Sequence, residues 1–210
     1  LGVDPRRITV VHNGTDSAPG AVARSTTPRL ICLGRLVPHK QVEHALRLVH
    51  QLRREWPQLH LDIVGDGWWR DHLHTTSAKL GLERHVTFHG HVSEQDKHAI
   101  LARSWVNVLP SLKEGWGLSV VEAAAHGVPT VGYRTAGGLT DSVVDGETGL
   151  LVDDEAGLRS ATSLLLADTS VRQRLGMQAH ERSRRFTWDE TVTGFEEVLK
   201  NVLAREALGR

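Results

Sequence analysis

The alternation of short apolar runs with helix-period segments is the strongest constraint on what this chain can fold into. "RLICLG" (29–34), "LHLDIVG" (59–65), "HVTFHG" (85–90), "WVNVLP" (105–110), "PTVGY" (129–133) and "TGLLV" (148–152) are short, apolar and punctuated by Gly or Pro, as buried parallel strands are. Between them lie helical patterns. Val42, Ala45, Leu46, Val49 and Leu52 fall at i, i+3, i+4 and i+7 spacing ahead of Pro57. A second helix pattern ends at Gly81, and a third opens at Ser93 as N-cap with acids in its first turn. A fourth, 118–126, has Gly127 as C-cap and Pro129 just beyond. Strand–helix alternation of this kind predicts an α/β fold with a doubly wound parallel sheet and right-handed crossovers.

After residue 152 the pattern is helical only, over about 155–167, 170–184 and 188–205. The expected organisation is one domain, 1–187, and a terminal helical segment, 188–210. Residues 14–29, polar and rich in Gly, Pro, Ser and Thr, form a surface loop in this reading. The last helix carries Trp188, Val192, Phe195, Leu199 and Val202 as an apolar stripe. It packs either on this domain or on something outside it.

Hydrophobic residues make up 40% of the 210 and charged residues 24%, a balance that supports a sizeable core rather than disorder. The formal net charge is zero, which gives no bulk attraction to nucleic acid or an anionic membrane. One cysteine, Cys32, excludes an internal disulfide and fits a reducing, cytoplasmic compartment. No run approaches the roughly 20 apolar residues of a membrane span, and the N-terminus has no signal-peptide pattern. It also lacks an initiator Met, as a piece of a longer protein would.

Open α/β sheets gather ligands where strands end and helices begin. After the first run come Gly34, Arg35 and Lys40; after the second, Gly65-Asp66-Gly67; after the third, His91-Val92. The fourth leads into "SLKEGWGLSVVE" and the fifth into "RTAGGLTDSV". Cations, glycines and two acids therefore converge on one edge, a chemistry suited to a diphosphate. Gly115 and Gly117 let backbone amides approach a ligand, and the helix start at Leu118 favours negative charge. Arg35 offers a planar fork and Lys40 a point charge. Each also has a plain structural alternative: Arg35 capping a carbonyl, Lys40 solvated, Glu114 capping the helix, Glu122 a buried acid paired with a base. "GDGWWR" supplies only half of a GxGxxG fingerprint, which argues against a nicotinamide or flavin cofactor. His85, His89 and His91 lie close together, but without an acid or Cys at ligand spacing they read as ordinary strand-end and surface histidines.

"ITVVHNGTD", "GRLVPHK", "VGDG", "FHGHVSEQD", "PSLKEGWGLSVVEAAAHGVPTV" and "GGLTDSVVDGETGLLV", in this order from about residue 8 to 200, resemble the donor-binding, Rossmann-like C-terminal half of retaining glycosyltransferases of the GT-B fold, family 4. The two glutamates of an E-x7-E pair are the most specific part. By this resemblance Glu114 reaches donor-sugar hydroxyls and Glu122 accepts from the ribose hydroxyls. Arg35 and Lys40 hold the diphosphate and stabilise charge on the leaving group. Gly34, Gly115, Trp116, Gly117 and Leu118 line the sugar and phosphates, and Asp66, Gly67 and Val92 the base side, where a simple turn is the alternative for the last three.

The resemblance implies hexosyl transfer from a nucleoside-diphosphate sugar to a sugar or lipid-linked acceptor by front-face attack, with no metal or other cofactor expected. It further implies a separate N-terminal acceptor domain onto which the last helix crosses, and an isolated domain that is close to inactive. Peripheral contact with the inner face of a membrane is open for the intact enzyme. Two other readings remain: a self-sufficient nucleotide-sugar-binding module, and a GT-B sugar-nucleotide epimerase or phosphorylase. The chain departs from the family pattern at Gln41, where Gly is usual, at Asp141, where Glu is frequent, and at Trp68-Trp69, which either reshape the base pocket or form a patch for a partner.

Overall fold

The computed structural model describes residue 4, residues 7–15 and residues 23–208, with side chains of the last helix described as far as 204. Residues 16–22 of the expected 14–29 loop, and 209–210 of the terminal segment, lie outside the described residues. Six strands, β1 (Arg29–Leu33), β2 (His60–Val64), β3 (Val86–Gly90), β4 (Val106–Leu109), β5 (Thr130–Tyr133) and β6 (Gly149–Val152), form one parallel sheet in the order β3-β2-β1-β4-β5-β6. The helices are α1 (Val42–Leu52), α2 (Arg70–Lys79), α3 (Glu94–Arg103), α4 (Leu118–Ala125), the short α5 (Leu139–Ser142), α6 (Glu155–Ala167), α7 (Thr169–Ser183) and α8 (Trp188–Leu208). The doubly wound α/β expectation holds strand by strand. Only α5 and two 3-10 turns, Pro38–Lys40 and Arg134–Ala136, were not legible as separate elements.

Strand alternation divides the core. Leu30 and Cys32 of β1, Leu61 and Ile63 of β2, and Val106 and Val108 of β4 point to one face, where they meet α1, α2 and α6. Ile31, Leu33 and Val64 point the other way, onto Ile100 and Leu101 of α3 and Ala123 of α4. Both faces are covered, which is why these strands read as continuous apolar runs.

Helix ends follow local chemistry. Ser93, Asp154 and Asp168 accept from the amides of Asp96, Gly157 and Val171 at 3.1, 2.8 and 2.9 Å, capping α3, α6 and α7. The C-terminus of α4 closes with Gly127 at φ 64°, its N–H on Ala124 O (2.8 Å) and Val128 N–H on Ala123 O (3.0 Å). That pairing is a Schellman motif, which needs a left-handed residue where the sequence has Gly.

One charge lies inside. Asp62 of β2 is 1% exposed and meets Arg29 (2.8 Å), Arg103 (3.1 Å) and His89 (2.7 Å). Burial pushes its carboxyl pKa up; the hydrogen bond from His89 and the charges of Arg103 and Arg29 reverse this and hold it below the usual range. His89 is thereby accounted for, and His85 is fixed by Leu59 O at 2.8 Å.

The apolar stripe on α8 does not pack on this domain. Trp188, Val192, Phe195, Leu199 and Val202 are each about half exposed or more. The helix is held instead by its neighbouring face: Thr191 Oγ1 donates to His12 O (2.8 Å), and Gly194 lies against Val11. Trp69 turns back onto α1, its indole N–H on Glu43 (2.5 Å) and its ring stacked on His72, while Trp68 is exposed against its edge. Neither lines the cleft described below. Among the described residues no helix is long and apolar enough to cross a membrane.

Asp62→Asn is expected to cost about 3 kcal/mol near neutral pH, because two arginines lose their buried counter-charge. The folded pKa of Asp62 is depressed, so its contribution is present above the unfolded value near 3.9 and fades as pH falls through the folded one. Urea unfolding of both proteins at pH 7 and pH 3 checks this: the gap should narrow in acid, and a constant gap would contradict the assignment.

Candidate functional site

The chain runs outward from β1 to β2 and β3, then returns to β4 on the other side of β1. Connections after β1 and β4 therefore part in opposite directions, and a crevice opens between them at the C-terminal edge of the sheet. An open cleft of about 420 Å³ occupies it, within the size range of small-molecule sites. Gly34, Arg35 and Lys40 line it from the β1 side, Val92 from the end of β3, and Glu114, Leu118 and Glu122 from the β4 side.

Glu114 is held from three directions. Its backbone N–H donates to Ala136 O at 2.7 Å, and its carbonyl accepts from Gly138 N–H at 3.2 Å. Its Oε1 accepts from Lys40 Nζ and from Ser111 Oγ, each at 2.6 Å, with only 7% of the side chain exposed. Lys40 and Glu114, read separately from the sequence, are thus directly paired. Glu122 faces the cleft from the second turn of α4, and its Oε1 accepts from Lys97 of α3 at 2.6 Å. The acid-paired-with-a-base alternative is realised, yet both partners line the cleft.

Lys97 also meets Glu94 at 2.6 Å. Burial lowers its pKa, but its hydrogen bonds and charge contacts with Glu122 and Glu94 leave it above the ordinary lysine value. Glu94 is drawn down chiefly by the same hydrogen bond. Beneath Lys40, burial pushes the Cys32 thiol up to about 12, so it packs as an inert apolar group.

By contrast, Arg35 is exposed and its guanidinium meets no acceptor among the described residues. The amide N–H groups from Gly115 through Ser119 are likewise without a partner among the described residues, and α4 has no side-chain cap. A cation and a set of free amides at a helix start make an anion-receptive corner.

Five expected residues stand beside the cleft rather than on its wall. Asp66 closes a turn, its Oδ1 accepting Gly67 N–H at 2.7 Å. A Cβ on Gly67 would lie 2.2 Å from Leu36 O, so the second glycine of "VGDG" exists to let the two loops touch. For these two the turn alternative is the one the geometry supports. Gly115 is exposed, and Gly117 takes φ 87° to start α4. Trp116 turns inward, its ring 4.7 Å from His12 and 4.8 Å from Phe186 between centroids. Asp141 is exposed on α5, outside the cleft.

Lys97 and Ser111 were not singled out from the sequence. Lys97 sits four residues after an N-cap in a polar stretch and so reads as solvated. Its only signal is that Ile100 and Leu101, at i+3 and i+4, turn that face inward. Ser111 stands three residues before Glu114 and gives no signal beyond that spacing. Among the described residues no three His, Cys, Asp or Glu side chains gather as a metal site.

Comparison with known proteins agrees with the α/β fold. The family described as Glycosyl transferases group 1 matches residues 17–182. A glycogen synthase of Mycobacterium tuberculosis is 36% identical over 198 residues, which cover 91% of this chain and 48% of that protein; the chain spans about half the length of the curated relatives it first matches. Among solved structures, sucrose-phosphate synthase of Thermosynechococcus elongatus superposes with a TM-score of 0.83 at 27% identity, over 92% of this chain and 52% of that one. The pneumococcal O-GlcNAc transferase GtfA, in complex with UDP and GlcNAc, gives a TM-score of 0.81 at 21% identity, over 90% and 38%.

Gln41, which follows Lys40 and precedes α1, is the one non-glycine residue with positive φ among the described residues, at φ 47°, ψ 41°. Gln41→Gly is expected to stabilise the fold by about 1 kcal/mol, relief of left-handed strain exceeding the added freedom of the unfolded chain. A denaturation midpoint that falls instead would contradict this.

Proposed function

The chain belongs to the glycosyl transferases group 1 family, and from that premise we propose that it is the C-terminal, donor-binding half of a retaining GT-B glycosyltransferase of family 4. The intact enzyme transfers a hexosyl unit from a nucleoside-diphosphate sugar to a sugar or lipid-linked acceptor. The observation that supports this most directly is the meeting of an unpaired guanidinium, Arg35, with the unpaired amides of Leu118 and Ser119 at the start of α4, in one cleft that also holds Glu122.

In this reading the diphosphate lies between Arg35, Lys40 and the start of α4. Charge that develops on the leaving group is then met by a clamped ammonium and backbone amides of fixed direction, with Arg35 free to close on it. The reading assigns that task to these groups and not to a metal ion. Glu114, fixed by Lys40 and Ser111, turns its second oxygen to the hydroxyls of the donor sugar. In this reading no acid need act as nucleophile, since the acceptor attacks on the same face from which the leaving group departs. Glu122 takes the ribose hydroxyls, as an acceptor-only carboxylate can.

The exposed stripe of α8 fits a helix that crosses to a separate N-terminal, acceptor-holding domain. That domain completes the cleft, so this chain alone binds donor weakly and turns over little. A cytoplasmic enzyme with peripheral contact to a membrane belongs to the same proposal.

Calorimetric titration with UDP, GDP and ADP, each beside its nucleoside, tests the reading. One diphosphate should saturate the site and bind much more tightly than its nucleoside. Glu122→Ala is expected to weaken that binding by roughly 1–3 kcal/mol through lost charge-assisted bonds. Arg35→Ala should weaken the diphosphate roughly tenfold or more while nucleoside affinity changes little. Equal loss for both ligands would remove Arg35 from the phosphate.

A further inference from the structure

We propose that Lys97 is a positioning residue for Glu122 and, through it, sets how strongly the cleft distinguishes a ribose from a sugar without its 2′ and 3′ hydroxyls. The inference rests on the donor-site reading above and extends it to a residue that the sequence motifs do not include.

The geometry is asymmetric in an informative way. Lys97 and Glu122 are 16% and 17% exposed and 2.6 Å apart, so the pair is largely removed from bulk water. Only Oε1 of Glu122 is engaged; Oε2 has no partner among the described residues. The carboxylate is therefore fixed by one oxygen and left free at the other, on a residue that lines the cleft. A cis-diol supplies two hydroxyl donors, and an oriented carboxylate oxygen accepts them best when it has no rotamer freedom left to lose.

Both partners stand on firm supports. Ile100 and Leu101 anchor α3 one turn beyond Lys97, and Val121 and Ala123 bury the flanks of Glu122 on α4. The ammonium has a second acceptor, Glu94, which is 67% exposed and also lines the open cleft. Lys97 is thus held from two sides while it fixes Glu122, and it supplies positive charge to a carboxylate that a bound ribose would cut off from water. Its upward-shifted pKa fits a lysine that stays an ammonium throughout.

A purely structural brace between α3 and α4 would predict something different. Loss of the brace lowers stability and affects every nucleotide alike. A positioning role affects only ligands that present the diol.

The experiment is titration of the unaltered chain and of Lys97→Met with UDP, GDP and ADP, each paired with its 2′,3′-dideoxy counterpart. In the unaltered chain the diphosphate that binds should be preferred over its dideoxy form. In Lys97→Met that preference should shrink by roughly tenfold, with dideoxy affinity nearly constant, and Lys97→Arg, which keeps a donor, should restore part of it. Met preserves the aliphatic stem, and a thermal melt separates folding loss from binding loss. An unchanged preference in Lys97→Met, or an equal weakening of both ligands, overturns the role of Lys97 while the donor-site reading stands. If none of the three diphosphates binds the unaltered chain, the donor-site reading falls and this inference falls with it.

Discussion

The pairing of β1 with β4 is the contact on which the rest of the molecule depends. It is short, Leu30 with Val106 and Ile31 with Asn107, yet it joins the two halves of a sheet wound in opposite directions. With this pairing in place, the loops after β1 and β4 can only diverge, and a crevice is left above their ends. Lys40 reaches across it to Glu114, 74 residues away in sequence. Shift the register of these two strands and neither the ion pair nor the cleft survives.

The charges around the crevice are arranged in two grades. Lys40 with Glu114, and Lys97 with Glu122, are satisfied pairs with little exposure. They hold side chains in place before any ligand arrives, at small net electrostatic gain, since desolvation offsets most of the attraction. Arg35 and the amides that lead into α4 belong to the other grade, unpaired among the described residues and facing the opening. A site made only of the first grade would be rigid and indifferent to ligands; one made only of the second would be poorly formed. The combination gives acceptors and donors of fixed direction around a gap that favours an anion.

Much of this was legible in the sequence because periodicity and punctuation report backbone needs. The six apolar runs, Ser93 ahead of α3 and Gly127 behind α4 each had a local cause, and each of the six strands lies within a residue of its expected place. Arg35, Lys40 and Glu114 stood out beside glycines and strand ends, and Glu122 by its spacing from Glu114 and the family resemblance; all four line one cleft. Lys97 and Ser111 were not, since what makes them part of the site is a neighbour 25 residues distant in one case and a single hydroxyl rotamer in the other. Asp66, Gly67 and Trp116 stand beside the cleft, the first two in the turn that the sequence left open as an alternative. Their place in a motif reflects how loops fit against one another, which a string of letters does not distinguish from lining a cleft. The α8 stripe left two alternatives open, and only burial could choose between them.

Trp116 carries a mechanical consequence. Its ring is wedged between His12 and Phe186, while its two glycine neighbours lead into α4 beside the cleft. Phe186 stands two residues before α8, and His12 is the segment against which α8 lies. The indole is therefore a peg that fastens the rim of the cleft to the root of the terminal helix. A tilt of α8 at its base thus reaches the loop that carries Gly115 and Gly117 by way of packed rings.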